Sequence, residues 1–184
     1  MDTKPSRKVR YTRKVLRESL IELMQLRPVS AISIKELCAL ADINRSTFYA
    51  HYRSPYEILQ EVEDAALETL EQMQRRNVLL TGKNALFQLI EEALQFIIDN
   101  RNWIQVLLSE QGDIQFQRKL FSFIRQKEFI KFKGNEWADE LTKEYYLIYA
   151  LNGSIALIQY WMKSGMDTPK EKMADMLVKL NWQE

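Results

Sequence analysis

The stretch ISIKELCALADINRSTFYAHY, Ile32 to Tyr52, decides the fold. Ser33 stands three residues before Glu36, so hydroxyl and carboxylate can each take an orphan backbone N–H at a helix start. Ile34, Leu37, Cys38 and Ala41 then recur on one face of a helix over about 34–41. Asp42-Ile43-Asn44 is a tight connection, because Asp and Asn tolerate turn and left-handed geometry. Asn44 is also a good N-cap for a second short helix, about 45–52. Two helices joined by three residues make a helix-turn-helix.

The second helix has two unlike faces. Phe48 and Tyr52 lie one turn apart and, with Ile43, form a packing seam. Arg45, Ser46 and Tyr49 point the other way, with Thr47 and His51 on the flank. Such a row of donors and acceptors suits base edges in a major groove, which admits one helix. His51, Tyr49 and the amides near Ser54 suit phosphate oxygens, which fix register. Lys4, Arg7, Lys8, Arg10, Arg13 and Lys14 read as a basic arm for the backbone or a minor groove.

Working outward, Leu16, Leu20, Leu23 and Met24 place a helix over about Tyr11–Leu26, ended by Pro28. SPYE at Ser54 and TPKE at Thr168 repeat the capping signal, each with a proline at the first helical position. Helix 4 is expected from Pro55 to about Arg76. Further helices fit 84–100, 102–110, 113–133, 138–164 and 169–181, with Gly82, Gly112, Gly134 and Gly165 at the breaks. The sequence shows no strand-like alternation and no repeat. The fold class is therefore all-α, about nine helices in 184 residues. The expected division is a head over 1–53, a connecting helix over 54–76 and a helical body over 77–184.

Charge supports that division. Residues 1–53 hold 11 Lys or Arg against 5 Asp or Glu, and residues 54–184 hold 15 against 20. A basic head on an acidic body points the head at a polyanion. The single cysteine excludes an intrachain disulfide and a Cys-rich metal site. Tyr145–Met162 is apolar, but Asn152, Gly153, Ser154 and Gln159 interrupt it and charges bound it closely. It reads as a buried bundle helix and not as a membrane span. No secretory leader is evident, so a cytoplasmic location is expected. No cofactor, metal or catalytic set is expected. His51 is alone, there is no H-E-x-x-H, GKN at Gly82 lacks the rest of a phosphate loop, and Glu91-Glu92 and Asp139-Glu140 read as solvated faces.

TRKVLRESLIELM and ISIKELCALADINRSTFYAHYRSPYEILQEV together resemble the tetracycline-repressor (TetR, AcrR-like) family of bacterial transcription regulators. The order T-F-Y-x-H-Y, then R-S-x-x-E-I-L, is the specific part. The resemblance is strong over residues 11–65. LNGSIALIQYWMKSGMDTPKEKM is similar to the last two helices of a Gram-positive group. Two departures stand out: Asp42 replaces the family's turn glycine, and Pro55 replaces the lysine usual at the start of helix 4. The resemblance implies a homodimeric regulator, usually a repressor, that binds a pseudo-palindromic operator and is relieved by a small molecule. The candidate DNA contacts are Ser33, Asn44, Arg45, Ser46, Thr47 and Tyr49, with His51, Tyr52, Arg53, Ser54 and Arg10.

The resemblance also implies a body in which the last two helices pair with their partners. Gly153, Ala156, Leu157 and Tyr160 on helix 8 and Met173, Met176, Leu177 and Leu180 on helix 9 are the candidate dimer residues. A mid-helix glycine costs about 1 kcal/mol against alanine, so Gly153 asks for a packing reason. An apolar or aromatic effector is expected between the helices, near Phe96, Trp103, Phe121, Tyr145, Tyr149 and Asn152. Gln95 and Gln159 are further polar candidates, with helix–helix bonding as the equal option. The rival function is a protein-binding helical adaptor with a basic head, which would lack the steep salt dependence of DNA binding.

Overall fold

Ser6 opens the first helix: its hydroxyl accepts from the Val9 N–H at 3.3 Å. In the computed structural model, residues 6–77, 82–109, 112, 114–126 and 139–181 are described. Among them all regular structure is helical: α1 (Arg7–Met24), a 3-10 turn (Val29–Ala31), α2 (Ile34–Leu40), α3 (Arg45–Tyr49), α4 (Pro55–Asn77), α5 (Gly82–Asp99), α6 (Arg101–Leu107), α7 (Ile114–Gln126), α8 (Glu140–Lys163) and α9 (Lys170–Asn181). The expected helices are all present, with shifted ends. The expected segments over 127–133 and at Gly134 lie outside the described residues. So does Lys4. Arg7, Lys8 and Arg10 belong to α1 and not to an extended arm. The Ser6 cap explains this, because it adds a turn before Tyr11.

The expected stripe on α1 is internal. Leu16, Leu20 and Met24 are fully buried, with Ile21 beside them. At α2 both halves of the Ser33–Glu36 capping box form. The Ser33 hydroxyl and N–H bonds hold the Glu36 carboxyl below its usual range, and Arg27 adds to that. At α4 the pattern differs from expectation: Glu57 accepts from the Arg53 N–H at 2.8 Å, one residue further back. At the end of α8, Gly165 is left-handed at φ 85°. Its N–H donates to Met162 and that of Met166 to Trp161, closing the carbonyl end of the helix.

Asp42 takes the conformation of the glycine it replaces. Its φ is 51°, and the Ile43 N–H reaches back to the Cys38 carbonyl at 2.9 Å. The turn is therefore kept, and the backbone carries the strain. Left-handed geometry costs an ordinary residue roughly 1–2 kcal/mol, and aspartate somewhat less. Asp42→Gly should accordingly stabilise the chain by about 0.5–1 kcal/mol, read as a higher urea midpoint with unchanged slope.

α1 packs on α2, α4 and α6; α4 packs on α5, and α5 lies along α9. One hydrophobic cluster runs from Leu16 and Phe48 through Ile58 and Leu94 to Leu177. The helix-turn-helix is thus seated on the body through shared core, to which α4 contributes Ile58, Leu59, Val62 and Ala66. No helix among the described residues is long and apolar enough to cross a membrane.

Candidate nucleic-acid interface

α3 is short, and its start is fixed by a side chain. Asn44 Oδ1 accepts from the Thr47 N–H at 2.7 Å and from the Ser46 hydroxyl at 2.7 Å. This caps the helix and also sets the Ser46 hydroxyl in one orientation. Phe48 is wholly buried, and its ring meets those of Tyr49 at 5.5 Å and Tyr52 at 6.2 Å. Arg45, Ser46 and Tyr49 are exposed, with Thr47 and His51 half-buried beside them. The expected two faces are therefore separated by packing. Tyr49 is 59% exposed, high for so large a ring.

Four candidates sit differently from the expectation. Tyr52 is only 4% exposed, so it supports the surface and does not present a contact. Its hydroxyl donates to Glu61 at 2.8 Å. Ser33 is exposed but engaged, its hydroxyl donating to Glu36 at 2.8 Å. Arg53 is exposed, yet its N–H is taken by Glu57, and that carboxylate occupies the start of α4 where a phosphate was expected. Ser54 is half-buried. Arg10 is exposed on α1, as are Arg7, Lys8 and Lys14. Arg13 instead folds back: its guanidinium lies 5.5 Å from the Tyr52 ring centre and 3.7 Å from Glu61.

Glu61 is the residue that sequence reasoning missed. Its carboxylate on α4 gathers Arg17 at 3.0 Å, Arg13 and the Tyr52 hydroxyl, so α1 and the residue that follows α3 meet α4 on one side chain. Its partners lie 44 and 9 positions away in sequence, which leaves no local signal. Burial and then the Glu61 bond push the Tyr52 phenol well above its usual range. Glu61→Ala would strand a buried hydroxyl, and that costs about 1–3 kcal/mol. Glu61→Gln keeps an acceptor and should lose clearly less. Chemical denaturation of the two variants side by side checks this, and equal losses would place the effect in charge alone. Cys38 is buried, and burial raises its thiol, opposed by Arg45. It is a packing residue of α2.

In the body, the expected aromatic pocket is not assembled. Phe96 and Trp103 pack edge to face at 5.6 Å. The Trp103 indole N–H donates to Asn100 Oδ1 at 3.1 Å, so the pair closes the α5–α6 corner. Tyr145 and Tyr149 are 64% and 73% exposed on the outer side of α8. Phe121 and Asn152 share a cleft of about 220 Å³ between α7 and α8, beside the Arg125–Glu144 ion pair. Gln95 bonds Asp99 on its own helix, and Asn152 bonds the Ile148 carbonyl. Gln159 donates to the Leu108 carbonyl, tying α8 to α6. A second, partly open void of about 160 Å³ is aliphatic and lies between α4, α5, α7, α8 and α9. Aromatic residues drew the expectation because they are large. A void depends on how five helices meet, which no single residue announces.

The candidate dimer residues divide into two groups. Gly153, Ala156, Leu157, Tyr160, Met176 and Leu180 are exposed. Met173 and Leu177 are 3% and 2% exposed, so they belong to the chain's own core. α9 spends that face on α5, which sequence periodicity cannot distinguish from a partner. On α8 the exposed set extends to Tyr145, Ile148 and Tyr149, one stripe at helical spacing. A Cβ built on Gly153 would meet nothing within 4 Å. Among the described residues no group of three or more His, Cys, Asp or Glu could hold a metal ion.

Comparison with known proteins fits this architecture. A TetR C-terminal family model, described as "Transcriptional regulator C-terminal region", matches residues 84–181, more than half of the chain. The uncharacterized HTH-type transcriptional regulator YxbF of Bacillus subtilis (strain 168) is 19% identical over 170 residues. That match covers 90% of this chain and 43% of YxbF, so the chain spans less than half of that relative's length. Among solved structures, a TetR transcriptional regulator from Streptococcus agalactiae 2603V superposes with a TM-score of 0.67 at 20% identity, over 96% of this chain and 97% of its own. A TetR-family regulator from Streptomyces coelicolor gives 0.58 at 13% identity, over 91% and 77%. The dihydroxyacetone kinase operon activator DhaS gives 0.52 at 17%, over 92% and 93%. With a capped helix-turn-helix in front and a matching helical body behind, the chain belongs to the TetR family of transcriptional regulators.

Proposed function

We propose that this protein is a homodimeric, sequence-specific DNA-binding repressor whose operator is released when a small molecule binds the body. The observation that carries the reading is α3 itself. Its inner face is locked by Phe48 and the Asn44 cap, and its outer face offers Arg45, Ser46, Thr47 and Tyr49. A rigid helix with an outward row of mixed donors is what direct readout of base edges requires. Arg7, Lys8, Arg10 and Lys14 on α1 add sequence-independent attraction to phosphates. The dimer brings two α3 helices to successive major grooves, roughly 34–36 Å apart. An exposed apolar stripe on α8 around a glycine with open space supports that pairing.

The test is selection of bound duplexes from a randomised pool at two salt concentrations. An enriched inverted repeat with fixed half-site spacing is expected. Unenriched DNA lost at moderate salt would instead favour the adaptor reading. On the selected operator, Tyr49→Ala should weaken binding about tenfold, or about 1.4 kcal/mol, with an unchanged melting temperature. Wild-type affinity in that variant would mean that another face reads the DNA. A reporter under the same operator gives the sign of regulation: transcription should rise when the protein is removed.

A further inference from the structure

We propose that the void between α4, α5, α7, α8 and α9 binds a small, uncharged, aliphatic molecule. This rests on the regulator reading above and names the chemistry of its effector. The cavity measures about 160 Å³, and its walls are mostly aliphatic, including Leu86, Ile90, Leu94, Leu151 and Ile158. Among the described residues, no charged side chain and no aromatic ring lines it. An apolar site of about this size accepts a molecule the size of benzene.

The two polar residues at the wall are bonded to each other. Asn181 Nδ2 donates to the Ser154 hydroxyl at 3.0 Å and to the Leu177 carbonyl at 2.7 Å. With these bonds made inside the protein, a carboxylate or phosphate entering the cavity would lose its hydration and gain no cation. That penalty excludes ionic metabolites. A neutral alkyl chain exchanges water for Leu and Ile side chains and pays no such cost, with a terminal hydroxyl tolerated beside Ser154. The cleft holding Phe121 is a poorer candidate, because Arg125 and Glu144 at its edge satisfy each other.

The experiment is titration calorimetry on the full chain without DNA, using hexan-1-ol, benzene and hexanoate. Hexan-1-ol and benzene are expected to bind, and hexanoate at least tenfold more weakly. Ala93→Leu, which fills the cavity from α5, should weaken hexan-1-ol binding at least tenfold. Ile90→Phe serves as the second filling variant should the first fail to melt cooperatively. Equal binding of hexanoate would overturn the assigned chemistry. Undiminished hexan-1-ol binding in a folded filling variant would overturn the site, and no binding of either neutral probe would overturn both. Probe binding and operator selection are separate readouts. A chain that selects an operator but binds no probe loses only this inference. One that binds probes in the cavity but selects no DNA loses the regulator reading.

Discussion

Phe48→Ala is expected to destabilise the chain by about 3–5 kcal/mol, the range for removing a buried phenylalanine. The side chain is wholly inaccessible. It is the one large residue that α3 buries, and α3 packs on α2. α3 is only five residues long, far too short to persist on its own. Its conformation therefore depends on Phe48 from within and on Asn44 at its start. Removing the ring leaves a cavity that the Tyr49 and Tyr52 rings border. Because the hydrophobic cluster is continuous from head to body, the loss should appear as a lower midpoint of the whole transition. A separate early transition of residues 1–53 would instead show that the head unfolds alone. Operator binding should fall with the folded fraction. Tyr49→Ala gives the opposite pattern, with binding lost and stability kept, so the pair separates reading from support on one helix.

The contrast also marks what the sequence could say. Ser33-x-x-Glu36, Asn44 and the Leu16–Leu20–Met24 stripe act over three or four residues, and all are found as expected. The division of α3 into inner and outer faces follows from the same short-range periodicity. Tyr52 was legible as packing but not as the donor to Glu61, because that bond closes between separate helices. Asp42 hid a different fact. A non-glycine stands in the turn, and the backbone keeps its path by absorbing the left-handed φ. Long-range choices were the opaque ones. Met173 and Leu177 have the spacing of an interface, and α5 takes them. The body's void lies among aliphatic residues that carry no chemical mark of their own.

Gly153→Leu is expected to abolish dimerisation while leaving the folded subunit as stable or more so. Glycine in a helix interior costs about 1 kcal/mol against alanine, and leucine is nearly as good a helix former as alanine. Nothing in its own chain requires the glycine, since an added Cβ meets no atom within 4 Å. The reason for it is then sought outside the chain. Ala156 and Leu157 flank it on the same exposed face, and Tyr149 and Tyr160 lie about one and two turns away. A partner helix can approach closely over small residues and be gripped by the aromatic ones beside them. Leucine at 153 would hold that partner off and uncover the stripe. Loss of the dimer converts two linked half-site contacts into independent ones, and linkage of that kind is worth about 10²–10⁴ in affinity. Sedimentation velocity should show a monomer, and affinity for the full operator should fall to that for an isolated half-site. Should Gly153→Leu remain a dimer with full operator affinity, the α8 stripe would not be the dimer face, and the exposed rings would need another partner.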